Sequence, residues 1–181
     1  MNMQYIQQSL GDDEELVHVA QFHWMYNVQA VINIIFGIAM AIGVIVFAIK
    51  FQPIILGAPV GYDQMSWIEK VRGLHAGVKL VAFFLLLMGL LRFVQMMIIK
   101  ATTEIVITNK RLVYKRGLVA RYVGEINIDR IEGVNVLQGI FGRLFGYGSI
   151  MVRGMGVGEV VLPPIAQPIR FRKAIEKARS V

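Results

Sequence analysis

The sequence predicts a membrane α-helical hairpin of two transmembrane helices, followed by a small all-β barrel that ends in a C-terminal α-helix. Of its 181 residues, 56% are hydrophobic and 17% are charged, whereas soluble domains are roughly 45–50% apolar and about 25% charged. The apolar excess is concentrated in two long runs in the first half of the chain. After Thr102 the apolar pattern changes from helical to alternating, which is the period of a β-strand.

The first predicted span covers residues 28–49, a run without a charged residue. At ~1.5 Å of rise per residue, a helix of this length crosses a hydrocarbon core of roughly 30 Å. Gln29 and Asn33 are its polar residues, and both lie near its start. Trp24 and Tyr26 precede it, where aromatic side chains commonly anchor a helix at the membrane interface.

The second predicted span covers about residues 76–98. Its most apolar part, Leu80–Leu91, is too short to cross a bilayer, so the span must include the flanking Lys79 and Arg92. Both charges are interpreted as interface anchors that extend toward opposite membrane surfaces, with Lys100 as a further anchor beyond the span. A buried functional role for Arg92 is the alternative.

These spans divide the chain into three parts. Residues 1–25 form an N-terminal cytosolic or interfacial segment, residues 26–99 form the anchor, and residues 100–181 form the rear domain. The loop 50–75 connects the spans and contains a short interfacial stretch around Trp67–Val71.

Two local patterns leave alternatives open. The acidic residues Asp12 to Glu15 either cap a helix or lead into an extended segment, Leu16–Phe22. Gly73 and Gly77 have the spacing that permits close helix packing, although a single such pair also arises by chance.

The basic residues are concentrated in the rear half. Residues 1–99 contain five basic and six acidic residues, whereas residues 100–181 contain fourteen and six, and the whole chain has a net charge of +7. Because positive charge accumulates on the cytosolic side of membranes, we expect both termini in the cytosol. A basic domain held against an anionic inner leaflet explains this charge better than nucleic-acid binding does.

The rear domain reads as a series of short strands joined by turns. Asn109-Lys110 suits a tight hairpin, because Asn tolerates positive φ. From Pro168 onward a helix is predicted, with an apolar stripe at Phe171, Ala174, Ile175 and Ala178. Such a helix would plug an open end of the barrel. The predicted strands are 103–108, 111–116, 119–128, 131–137, 148–153 and 159–162.

A basic cluster at the first predicted hairpin is the candidate lipid-facing site. It consists of Lys110, Arg111, Lys115 and Arg116, close in sequence to the membrane exit. A solvated face that keeps the domain out of the lipid is the simpler interpretation. Contact with lipid phosphates is the functional one.

An apolar stretch between Gly139 and Gly148 is the candidate interaction surface. Its members are Ile140, Phe141, Leu144 and Phe145. They either form a short helix that closes the barrel or remain exposed and contact another subunit.

The sequence shows no pattern for catalysis, a metal or a cofactor. It has no cysteine and three histidines, His18, His23 and His75, which cannot complete a four-ligand metal site by themselves. The glycines of the segment 154–158 stand between two predicted strands, so they indicate a hairpin rather than a phosphate-binding loop before a helix. No Ser/His/Asp group or paired-carboxylate motif appears, so we expect no enzyme, no small-molecule substrate and no nucleic-acid partner.

Several blocks of residues together resemble the bacterial pleckstrin-homology (PH) domain membrane proteins, a family of unknown function. The resemblance runs from about residue 9 to residue 172, and its most specific part lies between Ile131 and Arg172. The blocks are Ser9 to Glu15, His23-Trp24, Thr102 to Glu104, Thr108 to Arg111 with Gly117, Ile131 to Val136, Gln138, Gly142 to Gly148, and Pro168 to Arg172.

The resemblance implies a PH-like barrel with a C-terminal helix, tethered by two helices in the bacterial inner (cytoplasmic) membrane. It implies no catalytic group. The expected role is non-enzymatic: a scaffold or recruitment module at the cytosolic membrane face, working as a homo-oligomer or with another membrane protein. A sensor of anionic lipid head groups and an oligomeric channel are the alternatives.

Overall fold

The computed structural model describes residues 9–11, 13–117, 122–156 and 158–179. The chain divides into two compact units. One unit combines residues 1–27 with residues 97–181, and the other consists of residues 28–96. The β domain is therefore formed by one segment that precedes the apolar helices in the sequence and one that follows them.

The first sheet has four antiparallel strands in the order β1-β2-β3-β4. β1 (Leu16–Val19) precedes the apolar helices, whereas β2 (Glu104–Thr108), β3 (Arg111–Arg116) and β4 (Tyr122–Asn127) follow them. β2 and β3 form the predicted hairpin around Asn109-Lys110. β4 covers part of the predicted third strand, and the remainder of that prediction includes residues 119–121, which lie outside the described residues.

The second sheet has three antiparallel strands, β5 (Ile131–Leu137), β6 (Tyr147–Gly154) and β7 (Gly158–Ala166). The glycine segment joins β6 to β7, and Gly156 and Gly158 have positive φ angles of 76° and 78°. This geometry belongs to a hairpin, as predicted. The described strands pair within two separate sheets, and their pairing does not show a closed barrel.

The C-terminal helix α5 (Pro168–Arg179) begins at the predicted proline. Its Phe171 and Ile175 are fully buried in a core that both sheets contribute to. Core side chains from the sheets include Ile105, Leu112 and Ile150. The apolar stripe read from the sequence is therefore the face that holds the helix against the sheets.

The helical unit contains most of two long apolar helices. α1 (Trp24–Leu56) and α3 (Ala76–Thr102) are both long and apolar enough to cross a membrane. Few of their apolar residues are buried by protein, unlike those in the core helix of a soluble domain. Each helix extends beyond the predicted span, and α1 ends where Gly57 adopts a φ of 82°.

The two helices approach each other at a pair of glycines that the sequence interpretation did not single out. A Cβ atom on Gly37 would lie 3.1 Å from the Cα of Gly89, and one on Gly89 would lie 2.9 Å from the carbonyl oxygen of Asn33. Close packing thus depends on Gly37 and Gly89. A Cβ on Gly77 would contact its neighbour His75 instead.

The loop between the spans contains the short helix α2 (Trp67–Arg72), which corresponds to the predicted interfacial stretch. It begins with a capping box, because Ser66 accepts a hydrogen bond from the amide of Glu69 and Glu69 accepts one from the amide of Ser66. The phenol of Tyr62 donates to the carbonyl of Ile49 at 2.7 Å. These contacts fix the conformation of the loop that connects α1 to α3.

The segment before β1 is fixed to the β2–β3 hairpin by a partly buried ion pair. The side chain of Glu14 is only 3% exposed and accepts two hydrogen bonds from the Arg111 guanidinium, each 2.8 Å long. The hydroxyl of Thr108 donates a third, at 2.7 Å. The hydrogen bonds from Arg111 lower the pKa of Glu14 from 4.5 to about 2. Asn109 adds reciprocal hydrogen bonds to the backbone of Glu15.

We predict that Glu14→Gln destabilises the β domain by roughly 2–3 kcal/mol at neutral pH, because it leaves Arg111 without its main counter-charge. Thermal or denaturant unfolding of the full chain in mild detergent measures this change. The matched control is Glu176→Gln, which removes an exposed ion pair with Arg172 and should change stability by less than about 0.5 kcal/mol.

The same pair predicts a pH dependence with a defined sign. Because the pKa of Glu14 is lowered in the folded state, its contribution is complete above about pH 4.5 and is lost as the pH falls toward 2. The stability difference between the unmodified chain and Glu14→Gln should therefore shrink over that interval. A difference that stays constant from pH 6 to pH 3 would contradict this account.

Candidate interaction surface

A short helix between the strands of the second sheet carries the candidate interaction surface. This helix, α4 (Ile140–Phe145), lies between β5 and β6. The amide of Gln138 donates hydrogen bonds to the carbonyls of Gly142 and Tyr147, at 3.2 and 2.9 Å. A Cβ atom on Gly142 would lie 2.7 Å from the Tyr147 oxygen, so glycine is needed for this close approach. The helix is consequently held tightly against the start of β6.

The apolar side chains of α4 face away from the domain core. Ile140, Phe141, Leu144 and Phe145 are 85%, 67%, 73% and 41% exposed. They therefore do not close an end of the β domain, which was the simpler of the two sequence interpretations. Large apolar side chains grouped in this way on a surface are typical of a binding site.

Trp24, the first residue of α1, extends this surface. Its ring and the Phe145 ring pack in a T-shaped arrangement, with centroids 6.0 Å apart. His23 stacks on Tyr147 beside them, at 5.3 Å. We call Trp24 together with the four exposed α4 side chains the α4 patch. The structure thus brings one predicted interface anchor together with the predicted interaction surface.

The four members of the predicted basic cluster have different surroundings. Arg111 is engaged by Glu14 and Glu125, and Lys115 forms an ion pair with Glu104 at 2.8 Å. Lys110 and Arg116 are exposed. Two of the four cations are therefore used in holding the sheet together, and a lipid-binding role for the cluster stays a prediction.

The remaining predicted membrane anchors lie at different points of the two helices. Tyr26 packs edge-to-face against Phe22. The ammonium of Lys79 donates to the carbonyl of Arg72 at 2.6 Å, and Arg92 is exposed on α3. The ammonium of Lys100 donates to Asn27 at 2.7 Å. Their role as interface anchors stays a prediction.

The described part of the chain contains no arrangement of side chains suited to metal binding. Within those residues, no group of three or more His, Asp or Glu side chains is placed to hold a metal ion. His18 packs edge-on against Phe171, and burial lowers the pKa of its imidazole. His23 accepts a hydrogen bond from the amide of Met25. Both rings therefore have structural contacts.

The architecture defines a class of protein: a β domain of two antiparallel sheets and a C-terminal helix, joined to two helices apolar and long enough to cross a membrane. Residues 16–179 match the bacterial PH domain family, and the chain belongs to that family. The family is generally of unknown function, and membership gives no evidence of an enzymatic activity. Neither the curated proteins nor the solved structures include a significant match.

Two features of the site were missed at the level of sequence. The contact between Trp24 and Phe145 joins residues far apart in the chain, and no periodic pattern connects them. The partnership of Arg111 with Glu14 was missed for the same reason. Both residues of that pair fall within the blocks that resemble the PH family. Their presence in those blocks was the one sequence feature that pointed to them.

Because the α4 side chains are exposed, we predict that the double change Ile140→Ser and Leu144→Ser alters the stability of the β domain by less than about 1 kcal/mol. Phe171→Ala should instead destabilise it by about 3–5 kcal/mol, since that ring is fully buried. Circular dichroism, used to monitor the unfolding of the full chain, measures the stability of both variants. Equal destabilisation by both changes would mean that α4 belongs to the core.

Proposed function

We propose that this protein is a non-enzymatic scaffold or recruitment module, anchored at the cytosolic face of the bacterial inner membrane. In this proposal the PH domain binds a second copy of the chain, or another membrane protein, through the α4 patch. The observation that carries the proposal is the exposure of four large apolar side chains on a helix that the rest of the domain holds firmly.

Several properties of the α4 patch favour a protein partner. Aromatic residues are enriched at the centres of protein interfaces, and Trp24, Phe141 and Phe145 are all aromatic. Because α4 is fixed by Gln138 and Gly142, binding would require little ordering of the patch. Tethering to a membrane raises the effective concentration of the partners, so a small contact area is sufficient.

Insertion of the α4 patch into lipid is a second candidate, favoured by one observation. Trp24 belongs to the patch and begins the helix that contains the first apolar run. Tryptophan at such a position commonly lies at the level of the lipid head groups. The lipid-sensor alternative based on the hairpin has less support, because Arg111 and Lys115 already pair with carboxylates.

The channel alternative also has less support. Asn33 is one of the two polar residues near the start of α1, and its amide donates to the carbonyl of Gln29 and contacts the sulfur of Met96. Where α1 and α3 meet, at Gly37 and Gly89, the backbones are in contact. A water-filled path through oligomerised spans would need free polar groups, and the amide of Asn33 is already hydrogen-bonded within the hairpin.

We predict that Leu144→Glu dissociates the complex formed by this protein, because a charge at the centre of an apolar interface must be desolvated. The particle mass of the full chain, extracted gently from native membranes, should fall to that of one subunit. The control is Met155→Glu, since Met155 is similarly exposed but lies beyond the opposite end of β6. It should leave the mass unchanged.

Two other results would count against a protein partner. A single-subunit mass for the unmodified chain would exclude stable assembly. An unchanged mass for Leu144→Glu, combined with weaker attachment of the β domain to lipid, would assign the patch to lipid insertion.

We further predict that both termini lie in the cytosol. Val60, in the connection between α1 and α3, is fully exposed, and the chain contains no cysteine. In intact cells, a membrane-impermeant thiol reagent should label Val60→Cys and should not label Ser180→Cys until the cells are opened. Labelling of Ser180→Cys alone would reverse the orientation.

A further inference from the structure

A groove lies between α4 and the start of α5, beside the α4 patch. Its volume is about 560 Å³, and all its lining residues belong to the unit that contains the β domain. The backbone amide of Gln167, just before α5, donates to the carbonyl of Gly146, just after α4, at 2.9 Å. This bond holds the two walls of the groove together. The side chains that matter for its chemistry are Arg143 on α4, and Ile169 and Arg170 on α5.

The charged side chains in the wall of this groove are the two arginines. Arg143 and Arg170 are both exposed. Neither forms an ion pair within the residues that the structure describes, whereas Arg111, Arg153 and Arg172 each pair with a glutamate. The described lining of the groove includes no acidic residue. Two exposed guanidinium groups without a nearby carboxylate favour an anion as the occupant of the groove.

The groove and the α4 patch are continuous along α4. Arg143 follows Ile140 by three residues, and residues with that spacing are neighbours on the surface of a helix. Ile140 is the most exposed member of the patch. Ile169, in the α5 wall of the groove, is a further exposed apolar side chain. A partner that covers Ile140 therefore also lies beside the guanidinium of Arg143.

A second copy of the chain does not complement the charges of this surface. Homo-oligomers most often close by two-fold symmetric contacts, in which the same surface of both copies meets. The α4 patch and the described lining of the groove contain two arginines and no carboxylate. Symmetric docking would bring the arginines of one copy toward those of the other, and like charges across an interface weaken binding. The charges instead favour a partner that supplies the carboxylate itself.

From this arrangement we infer that the partner of the α4 patch is a different protein, with an acidic segment. It packs apolar side chains on the patch and places an aspartate or glutamate of the same segment in the groove, within reach of Arg143 and Arg170. The inference rests on the proposed function, and it decides the choice left open there between a second copy and another membrane protein. The planar fork of an arginine matches a carboxylate, and such pairs select the partner more than they add affinity.

The first measurement is native mass spectrometry of the full chain, extracted gently from native membranes. The complex should exceed the 20.3 kDa chain by a mass that is not a multiple of 20.3 kDa. A complex made only of whole copies of the chain, and dissociated by Leu144→Glu, would overturn the inference and leave the proposed function in place.

Charge reversal then tests the groove. Arg143→Glu and Arg170→Glu should each weaken the complex by roughly tenfold or more, because the partner's carboxylate then meets a like charge. An acidic residue in the first turn suits the dipole of α5, so Arg170→Glu should not unfold that helix. The matched control is Lys173→Glu, which makes the same change of charge on the same helix, at an exposed residue outside the groove lining. It should leave the complex intact.

The remaining outcomes separate this inference from the proposed function. If Leu144→Glu dissociates the complex and both arginine reversals leave it intact, the inference fails alone. A single-subunit mass for the unmodified chain would refute both. Phosphatidylglycerol that remains bound is counted in the same spectra. A complex that survives both reversals while losing bound phosphatidylglycerol would assign the two arginines to lipid phosphate instead of a protein carboxylate.

Discussion

The whole β domain depends on pairing between chain segments that lie on opposite sides of two membrane-length helices. β1 forms an edge of the first sheet by pairing with β2, which begins only after α3 has ended. The side-chain hydrogen bonds that reinforce this pairing join residues 94 or more positions apart, including those of the Glu14–Arg111 ion pair. Loop closure over such a distance is entropically unfavourable, and a partly buried bidentate pair with further hydrogen bonds offsets that cost.

This requirement explains how basic residues are used in the first hairpin. A bare count of positive charges would make Arg111 and Lys115 part of a surface for anionic lipids. In the structure, Arg111 pairs with Glu14 from the segment before β1 and with Glu125 from β4, and Lys115 pairs with Glu104 from β2. The domain also leaves large apolar side chains exposed, on a helix whose backbone is fixed by Gln138 and Gly142. In the proposed function, recognition depends on shape and apolar contact at α4 rather than on net charge.

Local patterns in the sequence predicted the parts of the fold that local physics determines. The hairpin at Asn109-Lys110, strand β5 and the helix that begins at Pro168 all appeared where periodicity and turn residues placed them. The features that could not be predicted depend on distant contacts. The pairing of β1, the approach of Gly37 to Gly89 and the exposure of α4 each reflect which surfaces meet, which a short window of sequence does not encode. The resemblance to the PH family, read from scattered blocks, indicated the family although it did not predict these contacts, and the family match over residues 16–179 confirms it.

The split arrangement of the β domain also has a consequence for biosynthesis. A ribosome adds roughly 5–20 residues per second. Several seconds therefore pass between synthesis of the β1 segment and the emergence of its partner strand. During that interval both apolar helices are made, while Glu14 and the strand that follows it have no hairpin to pair with. Synthesis of both helices is thus finished before the domain can be completed, and a nascent chain that stalls after α3 would display an unpaired β1 to chaperones and proteases.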